Sequence, residues 1–186
     1  HLNQALQTMN ELPNRLLRLR CTFLVIAIFL IMLPTLPIRT NFNHIFIPDL
    51  LLTMTFAWVM QRPDVIGPIT ITIVFLFADF ILQRPPGLWT VIVLFAATFL
   101  GMRSARFKEV FFIYEWATVS VIIVFCYLTQ YIIMRLTFLA IYDLKLLTIT
   151  GLTTIFFYPV FTWVFRPMLK KRGLHIKKKL VTEVSE

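Results

Sequence analysis

The chain has 186 residues, of which 59% are hydrophobic and only 15% are charged, whereas about one quarter of the residues of a soluble domain are charged. This composition excludes an ordinary soluble domain and indicates a chain surrounded by lipid. A bilayer core of about 30 Å takes roughly 20 apolar residues per crossing helix, so six such helices fit into this length. The formal net charge is +9, but Lys and Arg lie at the ends of apolar segments, and we therefore expect no nucleic-acid binding.

Residues 1–20 precede the first apolar segment and are predicted to be cytoplasmic. Leu2, Leu6 and Met9 recur at helical spacing before Pro13, which leaves open either a short helix at the membrane surface or an unstructured start. The first apolar segment, 21–36, has no small-residue cleavage site after it. We expect it to be an uncleaved membrane-spanning helix.

The second apolar segment, 47–60, has only 14 residues and is about 21 Å long as a helix, which is short for a full crossing. It is either re-entrant or a short crossing helix, and we favour the crossing because the charges then alternate correctly. The remaining segments are 65–82, 87–101, 111–134 and 146–165.

Six crossings with a cytoplasmic start place 14 basic residues inside and four outside. The inside set is Arg15, Arg18, Arg20, Arg62, Arg103, Arg106, Lys108, Arg166, Lys170, Lys171, Arg172, Lys177, Lys178 and Lys179, and the outside set is Arg39, Arg84, Arg135 and Lys145. This bias predicts an all-α integral membrane protein with six transmembrane helices within 21–165 and both termini in the cytoplasm. The basic tail, 166–186, is predicted to be cytoplasmic, where it either contacts anionic lipids or simply fixes the topology.

The four tryptophans fall near predicted helix ends, with Trp58, Trp116 and Trp163 inside and Trp89 outside. This placement favours an interfacial aromatic belt.

Two aspartates are the polar residues of greatest interest. Asp79 lies late in the third segment, where a carboxylate is costly in hydrocarbon. It either faces the bundle interior, neutralised by Arg84 or by a donor from a partner protein, or reaches the outer head groups. Asp49 follows Pro48 and is expected to cap the second helix. Both aspartates are predicted near the outer leaflet, so they could form one polar site.

No pattern in the sequence indicates an enzyme, a cofactor or a metal centre. His1, His44 and His175 are scattered, and the cysteines match no ligand spacing. The five glycines lie too far apart for a phosphate-binding loop.

Three further residues are predicted to shape helix packing. Ala97 and Gly101 form a small-xxx-small pair, which is either an internal contact or a partner site. Pro159, inside the sixth segment, should kink the helix or free a backbone carbonyl.

The order of these motifs resembles the MreD family of the bacterial rod-shape (elongation) machinery. The likeness covers about 20–172. It is carried by Ile47-Pro48-Asp49-Leu50-Leu51-Leu52, Gln61-Arg62-Pro63, Asp79, Pro86-Gly87-Leu88, and Tyr158-Pro159-Val160-Phe161 through Trp163 to Arg166. The chain departs from the family at Ile71 and Phe75, where members tend to have small residues.

The resemblance implies a non-enzymatic scaffold of the bacterial inner membrane. Its partner would be an MreC-like single-span protein, and together they would act on the elongation transpeptidase and glycosyltransferase that build lateral peptidoglycan. The implied fold is similar to the substrate-binding subunits of energy-coupling-factor transporters. That similarity supplies an alternative function, a small-molecule-binding membrane subunit of a vitamin-type transporter in which Asp49 and Asp79 contact the ligand.

Overall fold

The computed structural model describes residues 2–35, 48–107, 111–137 and 144–169, and within these ranges all regular structure is helical. The helices are α1 (Leu2–Met32, followed by a 3₁₀ turn at Leu33–Thr35), α2 (Leu50–Gln61), α3 (Pro68–Ile81), α4 (Leu88–Phe107), α5 (Phe112–Leu136) and α6 (Leu144–Leu169). The predicted all-helical class is therefore confirmed for the described part of the chain. The predicted tail beyond Leu169, together with His1, His44 and His175, lies outside it.

Within the described ranges, three helical stretches are long and apolar enough to cross a membrane, namely Leu16–Thr35, Phe112–Leu136 and Leu144–Pro167. The apolar stretches of α2, α3 and α4 are shorter. These lengths support a membrane protein. Helix α1 also runs without interruption from Leu2 through Pro13, so residues 2–20, before the first apolar segment, are helical.

Local sequence explains where the short helices begin and end. Asp49 is the N-cap of α2, and its Oδ1 accepts a hydrogen bond from Leu52 N at 3.0 Å. Helix α2 ends at Gln61, just before Arg62 and Pro63. Helix α3 starts with Pro68 in its first turn. Gly87 has φ +87° where the chain turns into α4, a conformation that glycine adopts without strain.

Helix α2 is the centre of the bundle. Every residue from 51 to 60 is buried, and α2 contacts α1, α4 and α6. Helix α3 contacts α1 and α4, while α5 contacts α4 and α6. Helices α1, α4 and α6 therefore enclose α2, which explains why its residues are mostly apolar on every side.

Helices α2 and α6 run in the same direction. The backbone N of Asp49 donates to Thr154 Oγ1 at 3.0 Å, and Gln61 Nε2 donates to the carbonyl of Thr162 at 3.4 Å. Residue numbers thus rise together along both helices. Helix α6 begins ten residues before Thr154, so it extends about 15 Å beyond the start of α2.

Two tryptophans do not belong to an interfacial belt, so the prediction is wrong for them. Trp58 is 0% exposed and its ring lies 5.4 Å from Phe23 and 5.8 Å from Phe165, while Trp89 is 2% exposed. Both are near helix ends, but their side chains pack against neighbouring helices, and the ring of Trp89 lies 5.2 Å from that of Tyr127 on α5. Trp163, by contrast, is 79% exposed.

The outer surface of the bundle is apolar on every peripheral helix. Exposed large side chains include Val25 on α1, Ile73 on α3, Phe95 on α4, Phe125 on α5 and Phe156 on α6. A soluble monomer rarely exposes continuous apolar surface of this extent. The surface is therefore suited to lipid or to the helix of another membrane protein.

The predicted small-residue pair packs inside the protein. Ala97 is buried, and a Cβ added to Gly101 would lie 3.6 Å from Val59 Cγ1 and 3.9 Å from Pro63 Cβ. Ala97 and Gly101 therefore belong to the internal contact between α4 and α2. Gly151, which the sequence did not single out, similarly lies against the ring of Tyr127.

The Gly101 contact predicts opposite effects of two substitutions. Gly101→Ala should leave the fold intact and raise its stability by up to about 1 kcal/mol, because the added methyl group meets only ordinary contacts and alanine favours a helix. Gly101→Leu should cost about 1–3 kcal/mol by overpacking against α2. The measurement is the thermal unfolding midpoint in detergent.

Thr98→Leu, on the exposed face of the same helix, is the matched control and should change the midpoint little. Equal midpoints for Gly101→Leu and Thr98→Leu would contradict the packing.

Candidate functional site

Asp79 caps the helix that follows its own. Its carboxylate is 0% exposed, and Oδ2 accepts hydrogen bonds from Gly87 N at 3.1 Å, Thr90 N at 3.3 Å and Thr90 Oγ1 at 2.8 Å. The first backbone amides of α4 would otherwise have no acceptor, and the positive end of the helix favours an anion. Asp79 therefore faces the bundle interior and does not reach the head groups. Its Oδ1 is buried and has no hydrogen-bond partner among the described residues.

Asp49 caps α2, as the sequence predicted, and it also pairs with Arg84. Arg84 Nη1 lies 3.5 Å from Asp49 Oδ2, while Asp49 Oδ1 receives the amide of Leu52. Of the two donors considered for Asp79, Arg84 is not the one that binds its carboxylate, because the Arg84 guanidinium turns toward Asp49. Pro48 contributes through its backbone, whose carbonyl accepts from Leu50 N at 2.8 Å.

Arg84 links the two aspartates. Its guanidinium is bound to Asp49, and its backbone N donates to the carbonyl of Asp79 at 3.0 Å. The guanidinium carbon is also 5.9 Å from the centre of the Trp89 ring, within cation–π range. We call Asp49, Asp79, Arg84 and Thr90 the carboxylate end of the bundle. The two carboxylates lie at the same end, but each serves a different helix start.

Arg62 occupies the opposite end of α2. It is 6% exposed, and its backbone N donates to the carbonyl of Trp58 at 2.7 Å. Its Nη1 donates to the carbonyl of Leu169 at 3.5 Å, and its Nε lies 3.3 Å from Asp64 Oδ2. A cation is favourable where helices end, because unpaired carbonyls carry negative charge there. Arg62 thus contacts the C-terminal ends of both α2 and α6. The sequence pattern did not reveal this role.

Helices α5 and α6 are joined around Pro159. Proline has no backbone N–H, so the carbonyl of Ile155, four residues earlier, loses its helical donor. Trp116 Nε1 donates to that carbonyl at 3.2 Å. The hydroxyl of Tyr158 donates to Glu115 Oε1 at 2.8 Å. The predicted freed carbonyl is therefore present, and a neighbouring helix supplies its donor.

Trp163 and Arg166 are exposed and lie near the end of α6. Arg166 is in the last turn of α6, where a cation is favourable, and its charge also acts on Glu115. Neither side chain joins the carboxylate end. They face the surroundings of the bundle at the same end as Arg62.

The chemistry of this arrangement is that of helix termination within a protein interior. Among the described residues, no group of three His, Cys, Asp or Glu side chains could hold a metal ion. Cys21 is exposed and Cys126 is buried, and both are free thiols. Charged and polar atoms at the carboxylate end and at Arg62 instead satisfy backbone groups that lipid could not.

Comparison of the chain with protein-family models, with curated proteins and with solved structures finds no match. The MreD resemblance therefore stays a prediction drawn from the residues themselves.

Replacing Asp79 separates its hydrogen bonding from its charge. Asp79→Ala should cost about 1–3 kcal/mol, because the amides of Gly87 and Thr90 are left buried without an acceptor. Asp79→Asn should cost clearly less, since the amide oxygen still accepts these bonds. Thermal unfolding in detergent measures both variants. Identical, wild-type midpoints for the two would show that the capping bonds contribute nothing.

A double-mutant cycle tests the contact around Pro159. Trp116→Phe should destabilise the protein by about 1–2 kcal/mol when Pro159 is present, because the carbonyl of Ile155 is left without a donor. In a Pro159→Ala background the restored N–H can bind that carbonyl, so the same change should cost much less. Unfolding midpoints of the four proteins give the coupling. A penalty that is the same in both backgrounds would rule the contact out.

Proposed function

We propose that this chain is a non-enzymatic membrane scaffold of the MreD type, which binds an MreC-like single-span protein in the bacterial inner membrane. Together they would regulate the elongation transpeptidase and glycosyltransferase that build lateral peptidoglycan. One observation carries the proposal more than any other. Three charged residues of the MreD-like motifs, the partly buried Asp49 and the buried Arg62 and Asp79, all bind backbone groups at helix ends. Such use supports a rigid structural part rather than a reaction centre.

The proposal includes six membrane crossings with both termini in the cytoplasm. A helix of 12 residues such as α2 is only about 18 Å long and would be too short if lipid surrounded it. Because α2 is enclosed by other helices and has a charged residue at each end, its length need not match the bilayer. The distribution of Lys and Arg supports the same topology.

The α5–α6 face is the surface that best fits a single-span partner. Helix α5 has no charged residue from 116 to 134, and α6 has none from 146 to 165, so each offers about 29–30 Å of apolar helix. Exposed side chains on α5 recur at helical spacing at Val121, Phe125, Leu128 and Ile132. This row lets a partner helix of full bilayer length pack along it.

Co-purification with the MreC-like partner in mild detergent is the direct test. The wild-type chain should retain the partner, and Phe125→Ala, which removes a large side chain from the α5 row, should reduce the recovered partner several-fold. Phe77→Ala makes the same change on the exposed face of α3 and should not reduce it. Absence of the partner from the wild-type preparation would refute the proposed function. Equal losses with both variants would refute the assigned face.

The alternative function is a small-molecule-binding subunit of a vitamin-type transporter. It is favoured by two buried polar atoms without hydrogen-bond partners among the described residues, Asp79 Oδ1 and Trp89 Nε1. Buried polar atoms of this kind are usually satisfied by water or a ligand. Equilibrium binding of vitamins to purified protein tests this alternative. Saturable binding at micromolar or lower concentration would favour the transporter subunit over the scaffold.

A further inference from the structure

The two sides of the bundle differ in the length of apolar helix that they present. Helix α3 has 14 residues and is about 21 Å long. Its lipid-accessible residues form one row, which we call the α3 stripe: Ile69, Ile73, Leu76, Phe77 and Phe80. The charge-free parts of α5 and α6 are about 29–30 Å long, so the α3 side is shorter by about 8 Å.

Both ends of α3 are fixed in place by polar contacts. Before α3, Arg20 Nε donates to the carbonyl of Val65 at 2.9 Å, and Arg62 is paired with Asp64. After α3, Asp79 caps α4 and Arg84 pairs with Asp49. Helix α3 therefore cannot slide along the axis of the bundle. The chain also turns at both ends, so α3 cannot grow longer.

Tilting does not remove the difference. A tilt of about 20°, the average for membrane helices, shortens the projected length of α5 only from about 29 Å to about 27 Å. Helix α4 also lies beside α3, and its apolar part, Leu88–Ser104, is likewise shorter than those of α1, α5 and α6. That part covers roughly 26 Å. Two adjacent helices thus define one short side.

We propose that the bilayer is locally thinned to about 21 Å along the α3 stripe, so that this face is an interaction surface for deformed lipid. An undeformed bilayer would place the partly exposed charges of Arg84 or Asp64 in hydrocarbon. A charge is costly in hydrocarbon, whereas thinning of the lipid has only a modest cost for each ångström. The inference rests on the proposed topology, in which α3 crosses the membrane.

Polarity-sensitive fluorophores on single cysteines can test the thinning. The background is Cys21→Ser, which removes the exposed thiol and leaves the buried Cys126 in place. Cysteines are introduced one at a time at Ile69, Ile73 and Phe80 on α3 and at Ile132 on α5. The full chain is reconstituted into dioleoylphosphatidylcholine vesicles, with and without lipid that carries a quencher on its acyl chain.

The order of the emission maxima decides the outcome. Ile69 and Phe80 are each about 8 Å from the middle of α3, whereas Ile132 is about 10 Å from the middle of the charge-free part of α5. In a uniform bilayer of about 30 Å the α3 probes would be the deeper and emit at shorter wavelength. Thinning reverses this order, and we expect Ile69 and Phe80 to emit at longer wavelength than Ile132.

The Ile73 probe separates the possible failures. It should emit as in hydrocarbon and be quenched by the labelled lipid. If it emits as in water, α3 does not cross, and the topology fails together with the thinning. If it emits as in hydrocarbon but is not quenched, a protein covers the stripe and lipid is not its occupant. If the Ile73 probe is quenched while the probes at Ile69 and Phe80 emit at shorter wavelength than the probe at Ile132, the thinning is refuted. The scaffold proposal is then unaffected.

Discussion

The fold depends on how helix ends are satisfied inside an apolar environment. A helix leaves four amides unpaired at its start and four carbonyls unpaired at its end, and lipid offers no partner for them. Asp49, Asp79 and Arg62 meet this requirement at the starts of α2 and α4 and at the ends of α2 and α6. The helix dipole stabilises each of these charges, and each helix end obtains a hydrogen-bond partner for its free backbone groups. The same bonds thus make buried charge tolerable and short helices stable.

Helix α2 shows what this arrangement allows. Its 12 residues could not match a bilayer alone, yet they form the most completely buried helix of the described structure. It is held against α6, which runs parallel to it, by the backbone amide of Asp49, which donates to Thr154, and by the guanidinium of Arg62, which donates to the carbonyl of Leu169. The small side chains of Ala97 and Gly101 let α4 approach from another side. Because every face of α2 meets protein, the other helices are left to present the apolar surface.

Much of the architecture could be predicted from the sequence, because apolar segments, prolines and capping residues are local signals. The cap at Asp49 follows from Pro48-Asp49, and the freed carbonyl follows from Pro159. The partners of Asp79 could not be predicted, because they depend on a turn whose conformation is set by Gly87 at positive φ. Arg84 was considered a possible partner of Asp79, but its guanidinium binds Asp49, because only the folded turn determines where that side chain points. The belt assignment failed at Trp58 and Trp89 because nearness to a helix end does not determine which face a residue occupies.

The parallel pairing of α2 with α6 has a consequence for biosynthesis. The amide of Asp49 is bound by Thr154, 105 residues later in the chain, and Arg62 binds the carbonyl of Leu169, 107 residues later. A ribosome therefore releases the central helix long before the segment that encloses it has been made. Until α6 arrives, one side of α2 must rest against lipid or an insertion factor. Assembly is therefore completed only after α6 has been made, and a chain that stops before α6 leaves that side of α2 uncovered.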